Sequence, residues 1–184
     1  MNILVWVLYG YLLLFFHVFI HELGHYLIGR LVVNIPKENI RIRLFHNPPH
    51  VALRAKNKEW IVPNDEKGRF VQTYFRYDPK GKHSFLFIMG GFILQSVIFL
   101  IAAFSIYYFI ENITLANFII GGSLFFNFVY IFADLAFYYW KRTPSGDTSS
   151  SLQFAPIKTV LFIFFLLLSY VILYLYIGNY LTLM

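Results

Sequence analysis

The chain has 184 residues, 59% of them apolar and only 13% charged, too few charges to wet the surface of a soluble domain, which places it among membrane proteins. Its net charge of +6 comes from 15 Lys and Arg that all fall either between Arg30 and Lys82 or between Lys141 and Lys158; such clustering signals topology and attraction to anionic lipid, and no nucleic-acid footprint accompanies it. Cysteine is absent, which excludes disulfides and thiolate-held metal, so any metal must be held by His and carboxylate.

A helical span needs roughly 20 predominantly apolar residues, and four windows qualify, at about 2–30, 84–110, 115–140 and 157–180. The expected architecture is one α-helical membrane domain over 1–184 with four transmembrane helices and a small polar β-hairpin insert at 33–83. No basic residue precedes the first apolar run and no small-x-small cleavage site follows it, so it is expected to persist as a helix and not to be removed as a signal. Within the insert, Ile40 to Phe45 alternates apolar and basic residues, His46-Asn47-Pro48-Pro49-His50 interrupts, and Val51 to Arg54 resumes the pattern, which reads as a hairpin. A second strand pair is expected from Trp60-Ile61-Val62 and Phe70 to Tyr77 around a turn at 63–68. Residues 142–156 are rich in turn formers and read as a loop between the third and fourth spans. By the positive-inside tendency both basic segments are cytoplasmic, and with four spans both termini face outward.

The first span carries His21-Glu22-Leu23-Gly24-His25, an HExxH pattern. Residues four apart share one face of a helix, so both imidazoles can grip one zinc ion, with Glu22 beside them to take a proton from water. Burying two histidines and a carboxylate within a span costs up to a few kcal/mol per charged group, so such residues face a partner or a cavity. His17 lies one turn before His21 on the same face; it offers a fourth ligand, a donor behind the ligands or a residue lining a water path.

The run HELGHYLIGRLVVNIPKENIRIRLF resembles the site-2 protease family of intramembrane zinc metalloproteases, in which HExxH lies on a span and a strand hairpin follows. Met89-Gly90-Gly91-Phe92-Ile93-Leu94-Gln95 is similar to that family's small-Gly-Pro-x-x-Asn stretch, with Phe92 in the place of the proline and Gln95 in that of the asparagine. The resemblance covers roughly residues 10 to 150 and leaves the fourth span outside. It implies a bound Zn2+, the bilayer as environment and a membrane-protein substrate whose peptide bonds are hydrolysed in or near its spans. The family's third ligand is a downstream aspartate, and two residues compete for the role. Asp147, in Thr143-Pro144-Ser145-Gly146-Asp147-Thr148, resembles members whose aspartate follows a Pro, Ser and Gly loop. Asp134 lies about 10 Å of helical rise from Lys141, a depth close to the about 7.5 Å between His25 and Arg30, and a buried acid there demands a reason. Asn127 and Gln95 are candidates for holding the oxyanion or the substrate backbone, although a packing bond between helices also accounts for an asparagine at 127. Ser123 and His17 are candidates for lining a water path. Gly24, Gly90, Gly91, Gly121 and Gly122 permit close helix approach. Two other classes stay open: a metal-binding but proteolytically silent scaffold, and an intramembrane metal transporter or sensor.

Overall fold

The computed structural model describes residues 3–63 and 68–179. In chain order these form α1 (Ile3–Leu31), a 3-10 turn (Lys37–Asn39), β1 (Ile40–Arg43), β2 (His50–Arg54), β3 (Trp60–Ile61), α2 (Arg69–Phe75), α3 (Ser84–Phe109), α4 (Ile113–Lys141), α5 (Asp147–Phe154) and α6 (Pro156–Asn179). Four of them, α1, α3, α4 and α6, are long and apolar enough to cross a membrane, and the small sheet falls between the first two. The chain is therefore a multi-pass α-helical membrane protein. By their contacts the described residues fall into two compact units, one being Val18–Leu94 and the other the chain up to His17 together with the chain from Gln95 onward.

In the unit Val18–Leu94, α1 stops because Asn34 takes a left-handed conformation (φ 61°), a role in which asparagine is second only to glycine. The Ile35 N–H returns to the Gly29 carbonyl at 2.9 Å, and the Arg30 guanidinium donates to the Ile35 carbonyl at 2.5 Å. Strands β1 and β2 pair antiparallel with Ile40 opposite Leu53 and Ile42 opposite Val51, so the alternating apolar residues share one face. That face meets Val33, Ile35, Tyr74 and Phe87 in a buried cluster. On the sheet's polar side the Arg41 guanidinium stacks 3.9 Å from the Trp60 ring centroid.

The expected second hairpin is not formed. Trp60–Ile61 adds to β2 instead, with Leu53 opposite Ile61, giving a three-stranded sheet in the order β1-β2-β3. The segment after it is helix α2; the turn expected at 63–68 lies mostly outside the described residues. The reason is periodicity: Phe70, Tyr74 and Tyr77 recur at helical spacing and all pack on the cluster, whereas a strand presenting Phe70 and Tyr74 on one face would bury Gln72 between them. Arg69 pairs with Glu59, and the guanidinium's hydrogen bonds hold that carboxylate below its usual range.

Asp78 organises the entry into α3. Its carboxylate accepts from the backbone N–H of Lys82 (3.0 Å) and His83 (2.7 Å) and from the Tyr74 hydroxyl (2.9 Å). Burial alone pushes the Asp78 acid up, but these donors outweigh it and hold the group below the ordinary carboxylate value; burial next to Asp78 pushes the Tyr74 phenol up.

In the other unit, α4 packs on α5 and α6, and α5 on α6. The buried positions of α4 are Ala116, Ile120, Ser123, Asn127, Ile131 and Asp134, a stripe at spacings of three and four. Its start is capped by Asn112, whose side chain accepts from the Leu115 N–H at 3.0 Å. The loop expected at 142–156 contains α5, followed by Pro156 at the first position of α6, where a missing N–H costs nothing.

A carboxylate held below its ordinary value stabilises the fold above about pH 4, and that contribution is lost as pH falls through its folded-state value. Asp78→Asn is expected to lower the thermal midpoint at pH 7, by the equivalent of about 1–3 kcal/mol, and to remove part of the wild type's acid sensitivity between pH 5 and 3; thermal melts in detergent across that range check both.

Candidate functional site

His21, Glu22 and His25 are all buried on α1. The Nε2 atoms of the two histidines face each other at 3.1 Å. Two Zn–N bonds of about 2.0–2.1 Å at a tetrahedral angle put their nitrogens about 3.3 Å apart, so the pair already stands at the separation of two ligands on one metal. The His25 Nδ1–H donates to the Phe87 carbonyl at 2.8 Å. That bond fixes the tautomer and leaves Nε2 as a lone pair, able to accept from His21 or to bind a metal. Glu22 is next in sequence to His21 and turned about 100° around the helix from it, off the face that the two imidazoles share.

The glycines of α3 make room for this pair. A Cβ on Gly24 would run into the Gly90 carbonyl oxygen, and a Cβ on Gly91 would lie 2.6 Å from His21 Cδ2, Cε1 and Nε2. Close approach of α1 and α3 was legible in these residues; the cradle that Gly91 forms under the His21 imidazole was not, because nothing in the sequence says which side chain a glycine faces. Phe92 meets the His21 ring edge to face at 5.2 Å.

The two aspartates have different surroundings. Asp134 is buried and its carboxylate is engaged three times: by the Ser149 N–H at 2.8 Å, the Ser149 hydroxyl at 2.6 Å and the Ser145 hydroxyl at 3.1 Å. Ser149 is the third residue of α5, whose cap position is Gly146. Glycine has no side chain with which to cap, so Asp134 does from α4 what an N-cap residue ordinarily does. Only glycine fits there, since a Cβ at Gly146 would lie 2.7–2.9 Å from the Asp134 carboxyl atoms. Asp147 opens α5 and is half-buried; its N–H donates to the Tyr130 hydroxyl at 3.4 Å, and its carboxylate lies 3.5 Å from the same oxygen. Ser145, Ser149 and Tyr130 escaped the sequence reading, because a Ser-rich stretch after a proline looks like any solvated turn.

Gln95 and Asn127, named separately from the sequence, are brought together: the Gln95 amide donates to Asn127 Oδ1 at 2.5 Å, with both side chains almost fully buried. His17 stacks on Phe99 at 5.3 Å and leans on Phe126 at 5.6 Å, within the unit that contains the start of α1. Compared with protein-family models, with curated proteins and with solved structures, the chain matches none.

If Asp134 caps α5 as described, Asp134→Ala leaves the Ser149 N–H and two hydroxyls without their acceptor, and Gly146→Ala drives a methyl group into the carboxylate. Both are expected to lower the thermal midpoint by the equivalent of about 1–3 kcal/mol and to speed proteolytic nicking near 143–149, with the nick mapped by mass spectrometry; Gly10→Ala, where a Cβ meets nothing within 4 Å, is the control expected to change neither.

Proposed function

We propose that the chain is an intramembrane zinc metalloprotease that hydrolyses peptide bonds in or near the spans of membrane-protein substrates. One observation carries this reading: on a membrane-spanning helix, two histidine Nε2 atoms stand 3.1 Å apart with one tautomer fixed by the Phe87 carbonyl and a buried carboxylate at the adjoining position. His21 and His25 would hold the metal. Asp147 is the proposed third ligand, supported by the resemblance of its Pro-Ser-Gly-Asp setting and by the commitment of the Asp134 carboxylate to capping α5.

A zinc ion bound there supplies a Lewis acid that brings the pKa of water down to about 7. Glu22 takes the proton of the attacking water and returns it to the departing amine. A helical substrate hides its carbonyls in its own hydrogen bonds and must unwind before attack. Strand β1 is one of the two outer strands of the sheet, and an open groove runs along residues 41–46; an unwound backbone adds to that edge as a further strand. The basic segments 30–82 and 141–158 are proposed as cytoplasmic, with the chain before α1 and after α6 on the opposite side. Phe92 in the place of the family's proline favours a second reading, a metal-binding scaffold without proteolysis.

Purified wild type is expected to carry about one zinc per chain, lost on His21→Ala, His25→Ala and Asp147→Ala; full metal in the double histidine variant places the site elsewhere, and loss in Asp134→Ala with retention in Asp147→Ala reassigns the third ligand. Glu22→Gln keeps the shape but not the basicity of the side chain. Cleavage of a co-expressed single-span substrate should fall roughly 100-fold or more while zinc stays near wild type. Unchanged processing sinks the protease reading in favour of the scaffold.

A further inference from the structure

Helix α6 lies beyond the stretch that resembles a protease core, yet it buries a tyrosine completely. Tyr170 is the largest fully buried side chain among the described residues; its hydroxyl lies close beside Ser96 of α3 and Asn127 of α4, yet with neither does it reach the full geometry of a formed hydrogen bond. Asn127 Oδ1 is taken by Gln95, which leaves Asn127 Nδ2 with no partner; Ser96 Oγ and Ser123 Oγ are likewise buried without one. Ser123 and Asn127 are four apart on the buried stripe of α4 and so share its face. Four orphaned polar groups thus belong to three helices of one unit, in a setting where lipid cannot satisfy them.

We propose that these residues form a hydration site, a bound water or small water cluster held between α3, α4 and α6 by Tyr170, Asn127, Ser96 and Ser123. The mixture of groups selects the ligand. Asn127 Nδ2 only donates, which rejects a metal cation; three hydroxyls both donate and accept, and no cationic side chain stands among them to offset a buried anion. Water donates and accepts in equal measure and can turn to satisfy buried groups whose fixed directions leave them unpaired with one another. Tyr170 is then a positioning residue: through the water it orients the Asn127 amide from a helix outside the resembling core. The site stands whether or not the chain cleaves peptides, since none of its residues belongs to the proposed metal set.

The test uses the full chain in detergent or nanodiscs. A structure at a resolution that shows ordered water should place density within about 3.2 Å of both Tyr170 Oη and Asn127 Nδ2. Removing a hydroxyl that water satisfies costs stability, whereas removing a truly orphaned one is neutral or stabilising. Tyr170→Phe is therefore expected to lower the thermal midpoint by about 2–6 °C, and Tyr170→Phe with Ser123→Ala to lower it by clearly less than the sum of the two single effects, because both act through one water network. A midpoint unchanged or raised in Tyr170→Phe overturns the proposal, as does strict additivity in the pair. Absence of density between the three helices overturns it directly.

Discussion

Everything proposed about the chemistry depends on a contact between backbones. Gly24 of α1 meets Gly90 and Gly91 of α3 so closely that a single added methyl at 24 would collide with a carbonyl oxygen. Lipid gives helices no hydrophobic reason to associate, so such contacts rest on dense packing and on hydrogen bonds across the interface. At this distance the Phe87 carbonyl reaches His25 Nδ1 and Gly91 leaves space for the His21 ring. An HExxH pattern on a helix without that neighbour would present two histidines of undefined tautomer; with it, both Nε2 atoms point at one spot.

A second constraint is the cost of leaving polar groups unmet in an apolar setting, and the chain meets it by pairing carboxylates with backbone donors. Asp78 gathers two N–H groups and a phenol at the entry of α3, and Asp134 gathers an N–H and two hydroxyls at the entry of α5. Asp134 does the work of a helix cap from outside the helix it starts, whereas Asp78 ties down the turn that leads into α3. This explains why Asp134 tolerates a position near the end of an apolar span. It also separates it from Asp147, which opens the helix that Asp134 holds in place. The buried stripe of α4, with Ser123, Asn127 and Asp134 among apolar neighbours, is where this unit keeps its polar chemistry.

Sequence by itself determined the parts of this protein that composition and local periodicity control. Four long apolar windows imply four spanning helices because a bilayer of fixed thickness accepts little else, and their observed bounds differ from the expected ones by a residue or two. The alternation around Ile40–Leu44 and Val51–Leu53 specified a hairpin and its inward face, and the four-residue spacing of His21 and His25 put two imidazoles on one helix face because spacing on a helix is geometry. Tertiary structure decided what local pattern leaves open. Phe70 to Phe75 has strand-like composition, but packing against Ile40, Val51 and Leu53 rewards a helical face. The Ser-Gly stretch after Pro144 reads as a loop until a carboxylate eleven to fifteen residues earlier is seen to cap a helix there. The Gln95–Asn127 bond joins residues 32 apart, and Tyr170 reaches the same region from farther still. Such pairings depend on which helix lies beside which, and no sequence periodicity encodes a neighbour.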